Sequence, residues 1–288
     1  MKLSIIGKTK NSWLNEIIKN FPINVHKRTI ILIGPFFQIL LTPLMRIFLY
    51  KVIWIADNPK YNILLKFFSL FAEKIIIPNQ SIEANYLRLG IPNQKLQLIY
   101  PICSFSEERI KRQDSLVLSC DGSLSIENGT GTLLRGFSMA QEILGNLKLI
   151  IGGNIIEKTR IEWLINEINI KNSVQLAPSN NHLWSEQSHI YVWMDNSEQP
   201  TPISLIQAVC FGKAIIASDK LSNHEFIEQN KNGILIKSSN AEMFSQAIIN
   251  LARKPEWITE LGENNLDFGK HKFSAEIFRQ KITTTFEL

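Results

Sequence analysis

Short apolar runs alternate with stretches of helical periodicity along the first hundred residues. The apolar runs are rich in isoleucine, valine and leucine and end at Gly, Pro, Asp or Asn, which is typical of buried strands. They lie at 2–7, 29–35, 52–57 and 74–79. Apolar residues at helical spacing predict helices between or after them, at 11–21, 36–49, 61–72 and 81–89. Strands that alternate with helices predict a parallel sheet covered on both faces.

The periodicity stops at 100–115, where charged residues gather, and then the alternation starts again. Strands are predicted at 116–122, 147–153, 173–178, 189–194, 214–218 and 232–237. Helices are predicted at 130–143, 157–168, 181–187, 203–211, 240–253, 255–265 and 273–286. The fold class is therefore α/β, with two Rossmann-like domains in tandem. The domains are expected at 1–103 and 115–288, joined by a linker at 104–114. The final helix, 273–286, has an apolar face that suits packing back on the first domain.

The segment from Thr29 to Ala56 is almost wholly apolar, which raises the question of a membrane span. A span needs about 20 uninterrupted apolar residues. Pro35, Arg46 and Lys51 interrupt this segment, so a strand, a helix and a strand fit it better. The helix at 36–49 is apolar nearly all round, so it either packs in the interior or touches lipid.

Composition narrows the class of protein. Hydrophobic residues make up 45% and charged residues 20%, as in a globular chain. The three cysteines lie far apart, so a disulfide framework is not expected. The five histidines do not have the spacing of metal ligands, so neither a metal nor another cofactor is expected. This cysteine usage is typical of a reducing, cytoplasmic compartment. Neither a phosphate-binding loop with G-x4-G-K-[ST] nor a G-x-S-x-G turn is present.

The net charge of +5 is unevenly distributed. Residues 1–110 carry 14 Lys and Arg against 6 Asp and Glu, whereas the remainder carries 17 against 20. The basic first domain could meet nucleic acid, anionic lipid or a phosphorylated substrate, or be an ordinary solvated surface. Nucleic acid has the least support, because the aromatic residues that would stack on bases are not interleaved with the basic ones.

The run SEQPTPISLIQAVCFGKAIIAS at 197–218 resembles the donor-binding domain of family-4 glycosyltransferases of the GT-B architecture. LKLIIGGN, SVQLAP, HEFIEQNKNGILI and HKFS resemble further parts of that domain, in the family's order. The resemblance implies two Rossmann-like domains that face each other across a cleft. It also implies a retaining, metal-independent transfer from a nucleotide sugar to a saccharide or lipid-linked acceptor. Such enzymes serve polysaccharide biosynthesis, at the inner face of the membrane where the acceptor is lipid-linked.

The resemblance assigns roles around the predicted helix 203–211. The family carries two glutamates in E-x7-E, and the matching residues here are Gln199 and Gln207. Glutamine keeps the reach of glutamate but loses the charge, so Gln207 can still hold a ribose hydroxyl. Near the transferred sugar, Glu198 can replace the carboxylate that Gln199 lacks. The N–H groups of Thr201, Ile203 and Ser204 are expected to hold the diphosphate, because a helix N-terminus carries a partial positive charge.

Other candidate residues follow the predicted strands. The turn CDGSLSIENGTGT places Gly122, Ser123 and Asn128 at the donor phosphates, with Ser123 and Asn128 where the family has Arg and Lys. A hydroxyl and an amide bind a dianion more weakly than those cations. Gly7 matches a glycine loop near the donor phosphates, or forms an ordinary turn. Asp57 is a candidate base where the family often has His-Asp, or a helix cap.

Two hypotheses follow from this pattern. The intact architecture favours an active glycosyltransferase. The joint loss of charge at Ser123, Asn128, Gln199 and Gln207 favours a catalytically silent relative that serves as a binding or scaffolding subunit.

Overall fold

The computed structural model describes residues 4–6, 29–33, 41–46, 51–56, 63–106, 115–177, 187–194, 203–237 and 239–286. Contacts between Cα atoms divide the chain into two compact units. Unit 1 comprises Met1–Cys103 together with Lys272–Leu288, and unit 2 comprises Ser104–His271. Each unit has a parallel sheet of its own.

Unit 1 is built on a five-stranded parallel sheet. Its strands are β1 (Ser4–Ile6), β2 (Thr29–Ile33), β3 (Lys51–Ile55), β4 (Lys74–Ile77) and β5 (Leu96–Leu98). They lie side by side in chain order. Helix α1 (Ile63–Ser69) lies between β3 and β4, and helix α2 (Gln80–Arg88) lies between β4 and β5. Side chains on both faces of β3 and β4 are buried, among them Val52, Ile53, Ile75 and Ile76, which explains why these strands are continuous apolar runs.

The apolar segment from Thr29 to Ala56 raised the question of a membrane span. Its described helical part packs on the sheet of unit 1. Residues 41–46 are helical. Thr42 is fully buried, and its hydroxyl accepts a 2.8 Å hydrogen bond from the Trp54 indole of β3. Leu41 and Met45 pack against the same core. Among the described residues, no helix is both long enough and apolar enough to cross a membrane.

The last helix of the chain, α8 (Ala275–Phe286), belongs to unit 1. Lys281 donates a 3.2 Å hydrogen bond to the carbonyl of Leu98 at the end of β5. The ring of Tyr100 meets that of Phe273 edge to face, with 5.5 Å between centroids. The N–H of Cys103 donates to the Phe273 carbonyl at 3.1 Å. These contacts attach the end of the chain to the residues that follow β5.

Unit 2 contains the larger sheet and most of the helices. Its strands are β6 (Leu116–Cys120), β7 (Ser123–Leu124), β8 (Leu147–Ile151), β9 (Asn154–Ile155), β10 (Val174–Leu176), β11 (Ile190–Trp193), β12 (Ala214–Ser218) and β13 (Ile234–Ile236). The helices that begin in it are α3 (Gly131–Leu144), α4 (Lys158–Glu167), α5 (Ile203–Cys210), α6 (Ala241–Arg253) and α7 (Pro255–Phe273). The sheet order is β10-β8-β6-β11-β12-β13, and β7 pairs with β9 separately.

This strand order reverses direction between β6 and β11. From β6 the chain moves outward through β8 to β10, and then returns to place β11 on the other side of β6. All of these pairings are parallel, so the carboxyl ends of the strands share one edge. The connections leave β6 and β11 in opposite directions, which opens a crevice beyond their carboxyl ends.

Short strands and one helix end differ from the sequence prediction, and the two-residue strands β7 and β9 are among the strands that were not predicted. The three-residue strand β5 was not predicted, because so short a run has no readable periodicity. Helix α7 continues to Phe273, although the prediction ended it at 265. A Cβ on Gly262 would lie 2.3 Å from the carbonyl oxygen of Gly212, so this glycine lets α7 pack closely against the turn that follows α5. The Asn265 amide donates to the carbonyl of Lys213 at 2.8 Å, which fixes the helix there.

Candidate functional site

The crevice between β6 and β11 contains a cavity at the carboxyl edge of the sheet. Its lining residues come from the ends of these two strands, from β7 and the turn that follows it, and from the first turn of α3. They are Cys120, Asp121, Leu124, Asn128, Thr130, Leu133, Val192, Trp193 and Met194. In open parallel sheets, ligands bind at this position, where the strand order reverses. The crevice that contains this small cavity is therefore the candidate binding site of unit 2.

A chain of hydrogen bonds through the buried Tyr191 joins the two strands to the beginning of α5. The Tyr191 hydroxyl donates to the Asp121 carboxylate at 2.6 Å. The Ser204 hydroxyl, in the first turn of α5, donates to the same phenol oxygen. Burial, followed by the charge of Asp121, raises the pKa of the Tyr191 phenol well above its ordinary value. Tyr191 therefore stays protonated and holds the end of β6 and the start of α5 in place.

Two glycines allow the backbone to come close at the edge of the cavity. Gly122 has φ of +122°, and a Cβ there would lie 2.8 Å from the Trp193 ring. Gly129 has φ of +91°, and a Cβ there would lie 2.0 Å from the carbonyl oxygen of Met194. A side chain at Gly129 would therefore push the turn before α3 away from β11.

The turn before α3 is held by its own polar groups. Glu157 accepts a 2.8 Å hydrogen bond from the N–H of Ile126, and this bond, with Arg160 nearby, lowers the pKa of the Glu157 carboxyl. The N–H of Asn128 donates to the Ser125 hydroxyl at 3.2 Å. Thr130, the residue before α3, is 1% exposed, and its hydroxyl has no hydrogen-bond partner in the described part of the chain. The turn thus presents a polar group and a helix N-terminus to the cavity.

The structure brings together several of the residues that the sequence singled out. Gly122 and Asn128 lie beside the β6 end of the cavity. Ser123 begins β7, where its backbone pairs with Asn154. Ser204 is buried at the start of α5 and linked to Tyr191, while Ile203 and Gln207 are half-buried on the same helix.

Five other candidates lie outside the described residues. They are Gly7, Asp57, Glu198, Gln199 and Thr201. Gly7 and Asp57 come just after the ends of β1 and β3 in the sequence, whereas the other three precede α5. Their roles stay predictions.

Sequence reasoning missed the polar and aromatic residues at the ends of β6 and β11. Asp121 and Trp193 each stand at the carboxyl end of a strand of this sheet. The sequence does show a polar residue, Asp121, at the end of a predicted strand, and polar residues that follow neighbouring parallel strands gather at one edge of the sheet. This pattern does not locate a site until the strand order shows that β6 and β11 are neighbours.

Among the described residues that line the cavity, Asp121 is acidic and none is Lys or Arg. A bound anion would therefore depend on backbone N–H groups and helix N-termini in this part of the structure. Cys120 does not add chemistry, because burial raises the pKa of its thiol and keeps it protonated. Among the described residues, no group of three His, Cys, Asp or Glu side chains has the arrangement of a metal site.

The family described as "Glycosyl transferases group 1" matches residues 104–267, which is more than half of the chain. The protein therefore belongs to this family. The match covers the cavity, the turn before α3 and helix α5.

Two curated relatives come from Methanocaldococcus jannaschii. The uncharacterized glycosyltransferase MJ1059 is 27% identical over 194 residues, which is 58% of this chain and 48% of the relative. The uncharacterized glycosyltransferase MJ1069 is 34% identical over 100 residues, which is 35% of this chain and 26% of the relative. The chain thus spans about half the length of the first relative and about a quarter of the second.

Solved structures show the same fold at low sequence identity. Alr3699/HepE of Anabaena, crystallised in complex with UDP, superposes with a TM-score of 0.77 at 12% identity, over 91% of this chain and 79% of that one. TarM superposes with a TM-score of 0.72 at 16% identity, over 96% of this chain and 58% of that one. The two parallel sheets are therefore those of a GT-B glycosyltransferase fold, as the sequence predicted.

Proposed function

We propose that the protein transfers a hexosyl group from a nucleotide sugar to a saccharide or lipid-linked acceptor. The transfer retains the configuration of the sugar, uses no metal or other cofactor, and serves polysaccharide biosynthesis. The observation that carries the proposal is the crevice between the carboxyl ends of β6 and β11, with the first turns of α3 and α5 linked to these strands. Membership of the glycosyltransferase family supports the reaction class.

The donor would lie across the beginning of α5. Its diphosphate would accept hydrogen bonds from the N–H groups of Ile203 and Ser204, as well as from Thr201. Gln207 follows Ser204 by three residues, which places both on neighbouring turns of one helix face, so its amide can hold the ribose. Structures of HepE contain UDP and UDP-glucose, so a uridine diphosphate sugar is the first donor to test.

The turn before α3 would support the phosphates from the other side. Gly122 and Gly129 allow the backbone to come close, and Asn128 and Ser123 replace cationic side chains with neutral donors. Since no described lining residue is Lys or Arg, the site would bind the diphosphate through backbone N–H groups and two helix N-termini. This arrangement predicts weak donor binding that does not depend on a divalent cation.

In the reaction, the bond between the anomeric carbon and the diphosphate oxygen breaks. The nucleoside diphosphate leaves with that electron pair, and the acceptor hydroxyl oxygen forms the new bond on the same face of the sugar. Asp57 is the candidate base for the hydroxyl proton. Glu198 and Gln199 would stand beside the sugar, where Glu198 offers a carboxylate to the developing positive charge.

A thermal-shift screen with UDP-, GDP-, ADP- and CMP-sugars tests the donor site. We expect one nucleotide class to raise the melting temperature, because a ligand that binds only the folded state stabilises it. Gln207→Ala should reduce that shift. Gln246→Ala, an exposed glutamine on α6, is the matched control and should not. If no nucleotide sugar shifts the wild type even at millimolar concentration, the chain has kept the fold as a scaffolding subunit and lost the donor site.

A further inference from the structure

Helix α1 of unit 1 has apolar residues on its solvent-exposed side, where a surface helix normally carries polar residues. Leu65, Ser69 and Ala72 are at most 2% exposed and face the sheet. Leu64 and Phe67 on the opposite side of α1, with Leu70 and Phe71 in the turn that follows it, are large apolar residues that are 50%, 55%, 58% and 40% exposed. We call these four residues the outer face of α1. An apolar face of this kind indicates contact with a partner or a lipid surface.

The outer face is held in a fixed arrangement. The Phe67 ring meets Phe68 edge to face, with 5.3 Å between centroids, and lies 5.9 Å from the Phe71 ring. Lys95 donates hydrogen bonds to the carbonyls of Ser69 and Ala72 at 2.9 Å, so its ammonium group closes the C-terminal end of the helix. The apolar residues are thus presented together by a capped helix.

Basic residues surround this end of the helix. Lys51 begins β3, Lys74 begins β4 and Lys95 directly precedes β5, so all three stand at the amino edge of the parallel sheet. Arg46 lies near Lys95, since burial and then the Arg46 charge lower the pKa of the Lys95 ammonium. Lys66 is exposed on α1 itself.

In the described residues near these cations there is one acidic side chain, Glu73. Within 41–46, 51–56, 63–77 and 91–98 there are five Lys and Arg residues and a single acidic residue, Glu73. Glu73 lies 3.3 Å from the Lys51 ammonium and 3.9 Å from the Arg46 guanidinium. In the described residues, the surface around the outer face of α1 therefore carries more cations than acids.

We propose that the outer face of α1 and the cations beside it form a docking surface for an anionic lipid bilayer. The phenylalanine and leucine side chains would enter the boundary between headgroups and acyl chains, and Lys66 and Lys74 would meet lipid phosphates. Charge complementarity favours this occupant over a second copy of the chain, whose same surface would be equally positive. The inference extends the proposed function, because it supplies the surface through which a lipid-linked acceptor would be approached.

Flotation of the full chain with lipid vesicles tests this surface. Vesicles of phosphatidylcholine alone are compared with vesicles in which a third of the lipid is phosphatidylglycerol. We expect binding to the anionic vesicles to be at least tenfold stronger, and to weaken as salt is added. Phe67→Ser with Phe71→Ser should lower it at least tenfold. Lys66→Gln with Lys74→Gln should lower it by a similar factor, only on anionic vesicles.

A matched control removes apolar residues of the same exposure from unit 2. Ile143 and Trp163 are 61% and 64% exposed, and Ile143→Ser with Trp163→Ser should leave vesicle binding unchanged. Circular dichroism checks that each variant is folded. Donor titration separates this proposal from the proposed function, because Phe67→Ser with Phe71→Ser should keep the nucleotide affinity of the wild type.

Two results would overturn the proposal. One is equal, negligible flotation of the wild type with both kinds of vesicle. The other is a variant without Phe67 and Phe71 that floats as well as the wild type. If sedimentation shows a concentration-dependent dimer that this variant abolishes, and vesicles do not bind, the occupant is a second copy of the chain.

Discussion

Replacing Tyr191 by Phe tests whether the buried hydrogen bonds hold the candidate site together. The Tyr191 hydroxyl donates to Asp121 at 2.6 Å and accepts from Ser204, and Tyr191 is fully buried. A hydrogen bond to a charged group contributes about 1.5–3 kcal/mol. Asp121 is only half-buried, so water can replace part of that bond in the variant. We therefore expect Tyr191→Phe to lower the free energy of unfolding of unit 2 by about 2 kcal/mol.

Hydrogen exchange measured in increasing urea gives this quantity for each unit separately. Peptides from β6 and β11 should lose protection in Tyr191→Phe, whereas peptides from β3 and β4 of unit 1 should keep it. The nucleotide affinity should fall as well, because the first turn of α5 would no longer be fixed to β11.

A double-mutant cycle with Ser204→Ala provides the control. If the three side chains act as one network, the combined variant should be less destabilised than the sum of the single variants, by about 1 kcal/mol. Additive effects, or a change below about 0.5 kcal/mol in Tyr191→Phe, would refute the network.

Three further predictions concern the same unit. Burial raises the pKa of the Tyr191 phenol and the Cys120 thiol above their ordinary values of 10.0 and 9.0. The folded state then keeps protons that the unfolded chain releases, so the free energy of unfolding should fall as pH rises above about 9. Urea denaturation between neutral and alkaline pH should show this, with a shallower decline in Tyr191→Phe. Gly129→Ala should lower the melting temperature and weaken nucleotide binding more than Gly145→Ala. Both glycines have positive φ, but only a Cβ at Gly129 would clash, with the carbonyl oxygen of Met194. Gly262→Ala should destabilise unit 2 by about 1–3 kcal/mol in the same melting assay, despite the better helix propensity of alanine.

Local patterns were enough to predict the fold class. Each predicted strand that the structure describes ends near a Gly, Pro, Asp or Asn, and the β-branched runs are buried on both faces as a parallel sheet requires. Helix α5 was predicted at 203–211 and lies at Ile203–Cys210, because prolines precede it and a glycine follows it. These signals act within a few residues of one another.

The features that define the site depend on distant residues. Asp121, Tyr191 and Ser204 are separated by many residues, and only the neighbouring positions of β6 and β11 bring them together. The sequence predicts a helix at 61–72 but not which side faces water, because both sides of α1 are apolar. Similarly, the sequence around Gly262 does not reveal that this residue packs against Gly212.

Isothermal titration of UDP and UDP-glucose tests the central claim, that the site at α5 binds a nucleotide-sugar donor. The wild type should bind, and Gln207→Ala should bind roughly 5- to 30-fold more weakly, as expected for the loss of one or two hydrogen bonds. The combination of Gln199→Glu, Ser123→Arg and Asn128→Lys should bind more tightly, because it restores charges that suit this geometry. Failure of both the wild type and this triple variant to bind either ligand at millimolar concentration would contradict the account.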